Sequence, residues 1–210
     1  MSFVKKFILF LVDFFYPVKF YGKENIPNGS AVFTCNHFSA IDSTYVIRGY
    51  KQDIRFLAKK ELFNNKLFGK ILKWFGAIPI DRDNPDIQSL LASIKVLKEG
   101  HKLVIFPEGT RNKSGSIKLQ EIKGGSVVFA VKAKCPIVPI MILEKAYIFC
   151  RNKIIFGKPF TLEQFYDKKL TDELIAQMGQ LVYEKMEEQQ KLLIGKLPEK
   201  KRLKYENFKG

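Results

Sequence analysis

Ala31-Val32-Phe33-Thr34-Cys35-Asn36-His37-Phe38-Ser39-Ala40-Ile41-Asp42 passes from an apolar run through a polar turn toward a helix. The run Ala31–Cys35 predicts a short buried strand, and Asp42 falls in the first turn of the helix that follows. A histidine just past a strand end lies at the carboxyl edge of the sheet, where α/β folds build their sites. An aspartate five residues on can return to the imidazole across the turn, fix its tautomer and stabilise the imidazolium. Asp42 also suits a purely structural place, as a carboxylate facing a helix dipole, and a lone histidine is more often structural than catalytic. Cys35 precedes His37 by two residues and shares its face on a strand. It is therefore an alternative nucleophile, although buried cysteine on a strand is common.

Outward from this stretch, strands and helices alternate. Ile54–Ala58, Ala77–Ile80, Leu103–Phe106, Ile137–Leu143 and Ile154–Phe156 read as further strands, with Pro139 interrupting Ile137–Leu143. Asn84-Pro85 reads as an N-cap with proline at the first helical position. Ile87, Leu90, Leu91, Ile94 and Leu97 then recur at helical spacing, and Gly100 stops the helix. Lys123–Lys134 reads as a helix ended by Pro136. Thr161 with Gln164 matches a capping box for a short helix. Thr171 opens a long amphipathic helix, and the basic tail from Pro198 is expected to fray. The alternation predicts an α/β fold: a single-domain sandwich whose central mixed sheet is flanked by helices, preceded by a short amphipathic N-terminal helix. The expected divisions are 1–19 for that helix, 20–197 for the main domain and 198–210 for the tail.

The chain has 210 residues, of which 46% are hydrophobic and 27% charged, a globular composition. Lys+Arg number 36 against 21 Asp+Glu, a formal net charge of +15. That excess favours an anionic partner. Nineteen phenylalanines argue for contact with lipid rather than nucleic acid. Cys35, Cys135 and Cys150 are widely spaced, with no disulfide framework, which suits a reducing cytosol. The two histidines, His37 and His101, have no metal-ligand neighbours, so no metal site is expected.

Phe3–Tyr16 reads FVKKFILFLVDFFY. As a helix it is about 20 Å long, short of the roughly 30 Å hydrocarbon core of a bilayer. Its near-continuous apolar face, with Lys5 and Lys6 beside it, predicts a helix lying in a membrane interface. The alternatives are a core helix closing the domain and a signal peptide, which lacks its small-residue cleavage pattern after Tyr16. Lys59, Lys60 and Lys66 read as a solvated face or as a docking patch for an acidic partner.

A second motif, Phe106-Pro107-Glu108-Gly109-Thr110-Arg111, again follows an apolar strand. Proline and glycine force a turn that lifts Glu108 and Arg111 from the strand end. Arginine offers a planar fork for phosphate or carboxylate. Glu108 can hold Arg111 or accept from a substrate hydroxyl. Taken together, the two motifs resemble the glycerolipid acyltransferase family, above all the 1-acyl-sn-glycerol-3-phosphate acyltransferases. Two more blocks match in order: Gly76-Ala77-Ile78-Pro79-Ile80-Asp81-Arg82, and Ile137-Val138-Pro139-Ile140. Lys123-Gly124 resembles a further Lys-Gly segment. Asp81-Arg82-Asp83 also looks like the short, common Asp-x-Asp metal motif of some glycosyltransferases.

The resemblance implies transfer of a fatty acyl chain from acyl-CoA or acyl-ACP to the sn-2 hydroxyl of 1-acyl-sn-glycerol 3-phosphate, giving phosphatidate for phospholipid biosynthesis. It implies His37 as general base oriented by Asp42. Arg82, Glu108, Gly109, Thr110, Arg111 and Lys123 are implied in substrate binding. No resident cofactor is expected beyond the acyl co-substrate. The expected partners are the lysophospholipid, the acyl carrier and an anionic membrane surface, with no nucleic acid. The expected location is peripheral, on the cytoplasmic face of the cell membrane. Acylation of another lysolipid or of glycerol 3-phosphate is an alternative, and so is a non-enzymatic basic lipid-binding module.

Overall fold

The computed structural model describes residues 3–50, 54–81, 87–114 and 117–206. Seven strands form one sheet: β1 (Val18–Tyr21), β2 (Ala31–Cys35), β3 (Ile54–Lys59), β4 (Ala77–Ile80), β5 (Lys102–Ile105), β6 (Ile137–Ile142) and β7 (Asn152–Phe156), in the order β1-β7-β6-β2-β5-β3-β4. Every neighbouring pair is parallel except β6 with β7. The sheet is thus mixed, as expected. The carboxyl ends of β6, β2, β5 and β3 lie side by side along one edge.

Period-two alternation sends neighbouring side chains of each strand to opposite faces. Val32, Leu103, Ile105 and Met141 join the core beneath α4 (Ile87–Lys98), α5 (Gly125–Ala133) and α6 (Asp172–Gly195). Phe33, Cys35, Val104 and Ile140 join the core beneath α1 (Phe3–Phe15) and α2 (Asp42–Tyr50), with α3 (Lys66–Phe75) packed beside it. β2 lies between β5 and β6 and is buried along its whole length. That is why AVFTC is an unbroken apolar run rather than an alternating one.

Several elements differ from the sequence expectation. β1 and α3 were not anticipated. α3 carries its own boundary signals: the Asn65 side chain accepts from the Phe68 N–H at 3.0 Å, and Gly76 ends the helix at φ 96. The Lys59-Lys60-Lys66 patch is divided between the end of β3, the 3-10 turn Lys60–Phe63 and the start of α3. The Thr161–Gln164 capping box yields only the 3-10 turn Glu163–Phe165, without a side-chain cap bond. The tail does not simply fray. Glu199–Glu206 forms α7, and the Tyr205 hydroxyl donates to the Glu144 carboxylate at 3.1 Å. Asn84-Pro85 lies outside the described residues.

α1 is fastened to the domain by polar contacts. Arg48 of α2 donates to the Tyr16 carbonyl at 3.1 Å and pairs with Asp13. Lys5 turns inward and donates to the Trp74 carbonyl at 3.4 Å, with its ammonium 5.2 Å from the Phe75 ring centroid. Lys5 therefore does not face the exterior as the interfacial reading has it. Leu9 is buried between these anchors, so the inner face of α1 belongs to the fold. Among the described residues, no helix is long and apolar enough to cross a membrane.

Candidate active site

The turn from Asn36 to Asp42 is wound around one carboxylate. Asp42 is fully buried at the start of α2. Its Oδ2 accepts from His37 Nδ1 at 2.9 Å, from the Phe38 N–H at 2.6 Å and from the Ser39 N–H at 2.7 Å. Its Oδ1 accepts from the Ser39 hydroxyl at 3.0 Å. Four donors satisfy a charge that burial would otherwise penalise. An ionised Asp42 assigns the proton to Nδ1 and leaves Nε2 with a free lone pair. The His37–Asp42 pairing is made by the local chain alone.

The second motif closes over the first. The Phe106 ring stacks on the His37 imidazole at 3.9 Å between centroids and 19° between planes. Glu108 is buried, and its Oε1 accepts from the His37 N–H at 3.0 Å while its Oε2 accepts from the Gln120 N–H at 3.4 Å. Burial pushes the Glu108 carboxyl above its ordinary range, and the two backbone N–H groups counter part of that shift. Glu108 thus binds the backbone of the first motif. It makes no ion pair with Arg111 among the described residues.

The remaining candidates form an exposed rim. Gly109 has φ +72, a backbone conformation that favours glycine. A Cβ there would meet Lys123 Cδ at 3.0 Å, so the Lys123 stem lies across the turn. The Lys123 N–H also donates to the Pro107 carbonyl at 2.9 Å. The Thr110 hydroxyl bonds the Gln120 side chain at 3.2 Å. Arg111 is exposed beside them. Arg82 lies outside the described residues. Asp81, the first residue of the Asp-x-Asp pattern, pairs with Lys60.

Two asparagines join the site that motif reading had not assigned. Asn36 donates to the Ile142 carbonyl at 2.9 Å and accepts from the Ile142 N–H at 2.7 Å, splicing the end of β2 to the end of β6. Asn112 donates its backbone N–H to the His37 carbonyl at 2.7 Å. The one available signal for Asn36 was its place beside His37. Nothing in the sequence marked Asn112. Cys35 is fully buried, and burial together with the Asp42 and Glu108 charges pushes its thiol well above the ordinary value. That disfavours the thiolate a nucleophile requires.

The family model named Acyltransferase matches residues 17–143. The chain belongs to the acyltransferase family. This acyltransferase is 36% identical over 166 residues to the 1-acyl-sn-glycerol-3-phosphate acyltransferase of Bacillus subtilis, covering 76% of this chain and 81% of the relative. It is 30% identical over 184 residues to the enzyme of the same name from Streptococcus pneumoniae, covering 82% and 67%. Its fold matches the crystal structure of the 1-acyl-sn-glycerophosphate acyltransferase from Thermotoga maritima with TM-score 0.63 at 24% identity, covering 88% of this chain and 80% of that one. The family resemblance carried by the four sequence blocks is borne out, and so is the α/β sandwich with its mixed sheet.

Proposed function

We propose that this acyltransferase moves a fatty acyl chain from a CoA or acyl-carrier-protein thioester to the sn-2 hydroxyl of 1-acyl-sn-glycerol 3-phosphate, giving phosphatidate. The observation that carries the reaction is the His37 Nδ1–Asp42 contact at 2.9 Å, with no other charge partner for the ring among the described residues. Nε2 takes the hydroxyl proton as the oxygen attacks the thioester carbonyl carbon. Asp42 stabilises the imidazolium so formed. The tetrahedral intermediate collapses, the C–S bond breaks, and the imidazolium returns the proton to the departing thiolate. Both substrates supply the reacting groups, so neither an acyl-enzyme nor a resident cofactor takes part. Arg111 and Lys123 at the rim, with Arg82, hold the acceptor phosphate, while Gly109 and Thr110 shape the turn that carries them. Glu108 serves by positioning the backbone of His37.

The acceptor is a membrane lipid, and residues 1–19 hold the protein at an anionic bilayer surface on the cytoplasmic face. This reading is supported by the outer face of α1, where Phe3, Phe7, Phe10 and Phe14 are 82%, 53%, 65% and 62% exposed. Such a face suits burial at a headgroup boundary. Residues 20–197 carry the chemistry.

The test is the purified chain with acyl-CoA or acyl-ACP and, in competition, lysophosphatidate, glycerol 3-phosphate and lysophosphatidylcholine, with products read by mass spectrometry. Phosphatidate should dominate. His37→Ala should lower turnover by roughly 10²–10⁴, the scale of general-base catalysis. Preference for either other acceptor would change the substrate. Retention of more than about a tenth of the rate by His37→Ala would remove the general base.

A further inference from the structure

We infer that α3 and the turn Tyr147–Phe149 are membrane-docking elements in their own right, forming with α1 one apolar surface that inserts into an anionic leaflet on both sides of the site. The inference rests on the peripheral-membrane reading above and extends it to two segments inside the sheet domain, one following β3 and the other following β6.

Helix α3 is amphipathic in an unusual sense, because its apolar stripe faces outward. Leu67, Phe68, Ile71 and Trp74 are all exposed, and Leu67 reaches 72%. Lys66, Lys70 and Lys73 recur at helical spacing on the flank of that stripe and are exposed as well. The core-facing side contributes only the buried Gly69 and the half-buried Leu72 and Phe75. Gly69 allows this close seat, since a Cβ there would come within 3.0 Å of the Phe63 carbonyl oxygen.

The turn after β6 repeats the pattern. Ile148 is 57% and Phe149 64% exposed. Phe149 is held at φ 60, a conformation costly for a bulky residue. The Phe149 N–H donates at 2.7 Å to the Phe15 carbonyl, one of the acceptors left over at the end of α1. Its ring lies 5.9 Å from Phe14 and 5.7 Å from Phe15. At the other end of α1, Lys5 reaches the Trp74 carbonyl. The three segments are therefore contiguous, with α1 in the middle.

Their placement relative to the site follows from topology. α3 is reached from the carboxyl end of β3, and the Tyr147–Phe149 turn from the carboxyl end of β6. In the sheet order, β2 and β5 lie between β6 and β3. Those two strands lead into His37 and Glu108. The apolar segments thus leave the edge on either side of the site.

Contiguous exposed apolar side chains rimmed by charge mark an interaction surface. Its occupant is identified by charge. A lysine stripe beside an apolar stripe complements anionic headgroups above acyl chains. A second copy of this chain seated on the same patch would bring like charges together across a two-fold axis.

Trp74 is the chain's one tryptophan and lies within the surface, so it reports the contact directly. The full chain is mixed with vesicles of phosphatidylcholine and phosphatidylglycerol, some carrying brominated acyl chains. Trp74 emission should shift to the blue, lose access to acrylamide and be quenched by the bromines. Leu67→Ser with Ile71→Ser should weaken vesicle binding about tenfold or more. Phe149→Asn, which keeps a residue tolerant of positive φ, should weaken it as well. Turnover of a short-chain, water-soluble acceptor should stay at the wild-type rate in each variant. Vesicle binding with unshifted, unquenched Trp74 would overturn the inference and leave α1 as the sole contact. Absence of vesicle binding, with the short-chain acceptor still turned over, would overturn both the inference and the peripheral reading while leaving acyl transfer intact. Bromine quenching without turnover of any acceptor would support the surface and remove the proposed reaction.

Discussion

Replacement of Asp42 separates its charge from its role as an acceptor. Oδ2 accepts from His37 Nδ1, Phe38 N–H and Ser39 N–H at 2.9, 2.6 and 2.7 Å. In Asp42→Asn, the amide oxygen can take the Oδ2 position and keep these contacts. The amide nitrogen then meets the Ser39 hydroxyl, which can turn to accept. The fold should survive, but the imidazolium loses its counter-charge, and turnover should fall by roughly 10²–10⁴ with the acceptor KM little changed. Asp42→Ala is a different perturbation. It strands the buried N–H of Phe38 and the part-buried N–H of Ser39, each costing about 1–3 kcal/mol. Their sum, about 2–6 kcal/mol, corresponds to a fall in Tm of roughly 4–24 °C for a chain of this size. Steady-state kinetics on a short-chain acceptor and thermal unfolding by circular dichroism distinguish the two. The reasoning is refuted if Asp42→Asn keeps more than about a tenth of the rate, or if Asp42→Ala unfolds at the wild-type temperature.

Glu108→Gln should cost about 1–3 kcal/mol, because an amide cannot accept from both the His37 and Gln120 N–H groups. The Glu108 pKa is raised in the fold, so the folded state binds this proton more tightly than the unfolded state does. Its contribution to stability is greatest at acid pH and declines as pH rises from the ordinary carboxylate range through the raised value. Unfolding curves across that window should show this slope in the wild type and lack it in Glu108→Gln. Arg111→Lys should raise the KM for lysophosphatidate and leave a phosphate-free lysolipid unaffected, since lysine keeps the charge but loses the fork; equal effects on both acceptors would make Arg111 structural. In a thiol titration at neutral pH, the native chain should react at the exposed Cys150, while Cys35 and Cys135 react only after unfolding. Burial pushes the Cys135 thiol up to about 11 and the Cys35 thiol well up too. Rapid native labelling of Cys35 would reopen the cysteine mechanism.

The residues by themselves determined the α/β alternation, because apolar runs the length of strands alternate with segments of helical period. They also determined the His37–Asp42 pair, because both residues lie in one short turn and their approach needs no distant partner. Glu108 was legible as a site residue from its motif, but its task was not. Only the folded sheet sets β5 beside β2 and so brings Glu108 to the backbone of His37, across 71 positions of sequence. The same holds for Asn36, whose partner Ile142 is 106 positions away. β1 was missed because VKFY is too short to show a period, and its pairing with β7 lies far along the chain. For α1, local pattern showed an apolar helix but not which side faces inward. That choice belongs to Arg48 and the Trp74 carbonyl, tertiary anchors that seat Asp13 and Lys5 against the domain and leave the phenylalanines outside. α3 itself is not among the helices expected from sequence, and its outward stripe obeys the same rule: helical periodicity reports that a face is apolar, and only the neighbours that pack against a helix decide whether that face is buried.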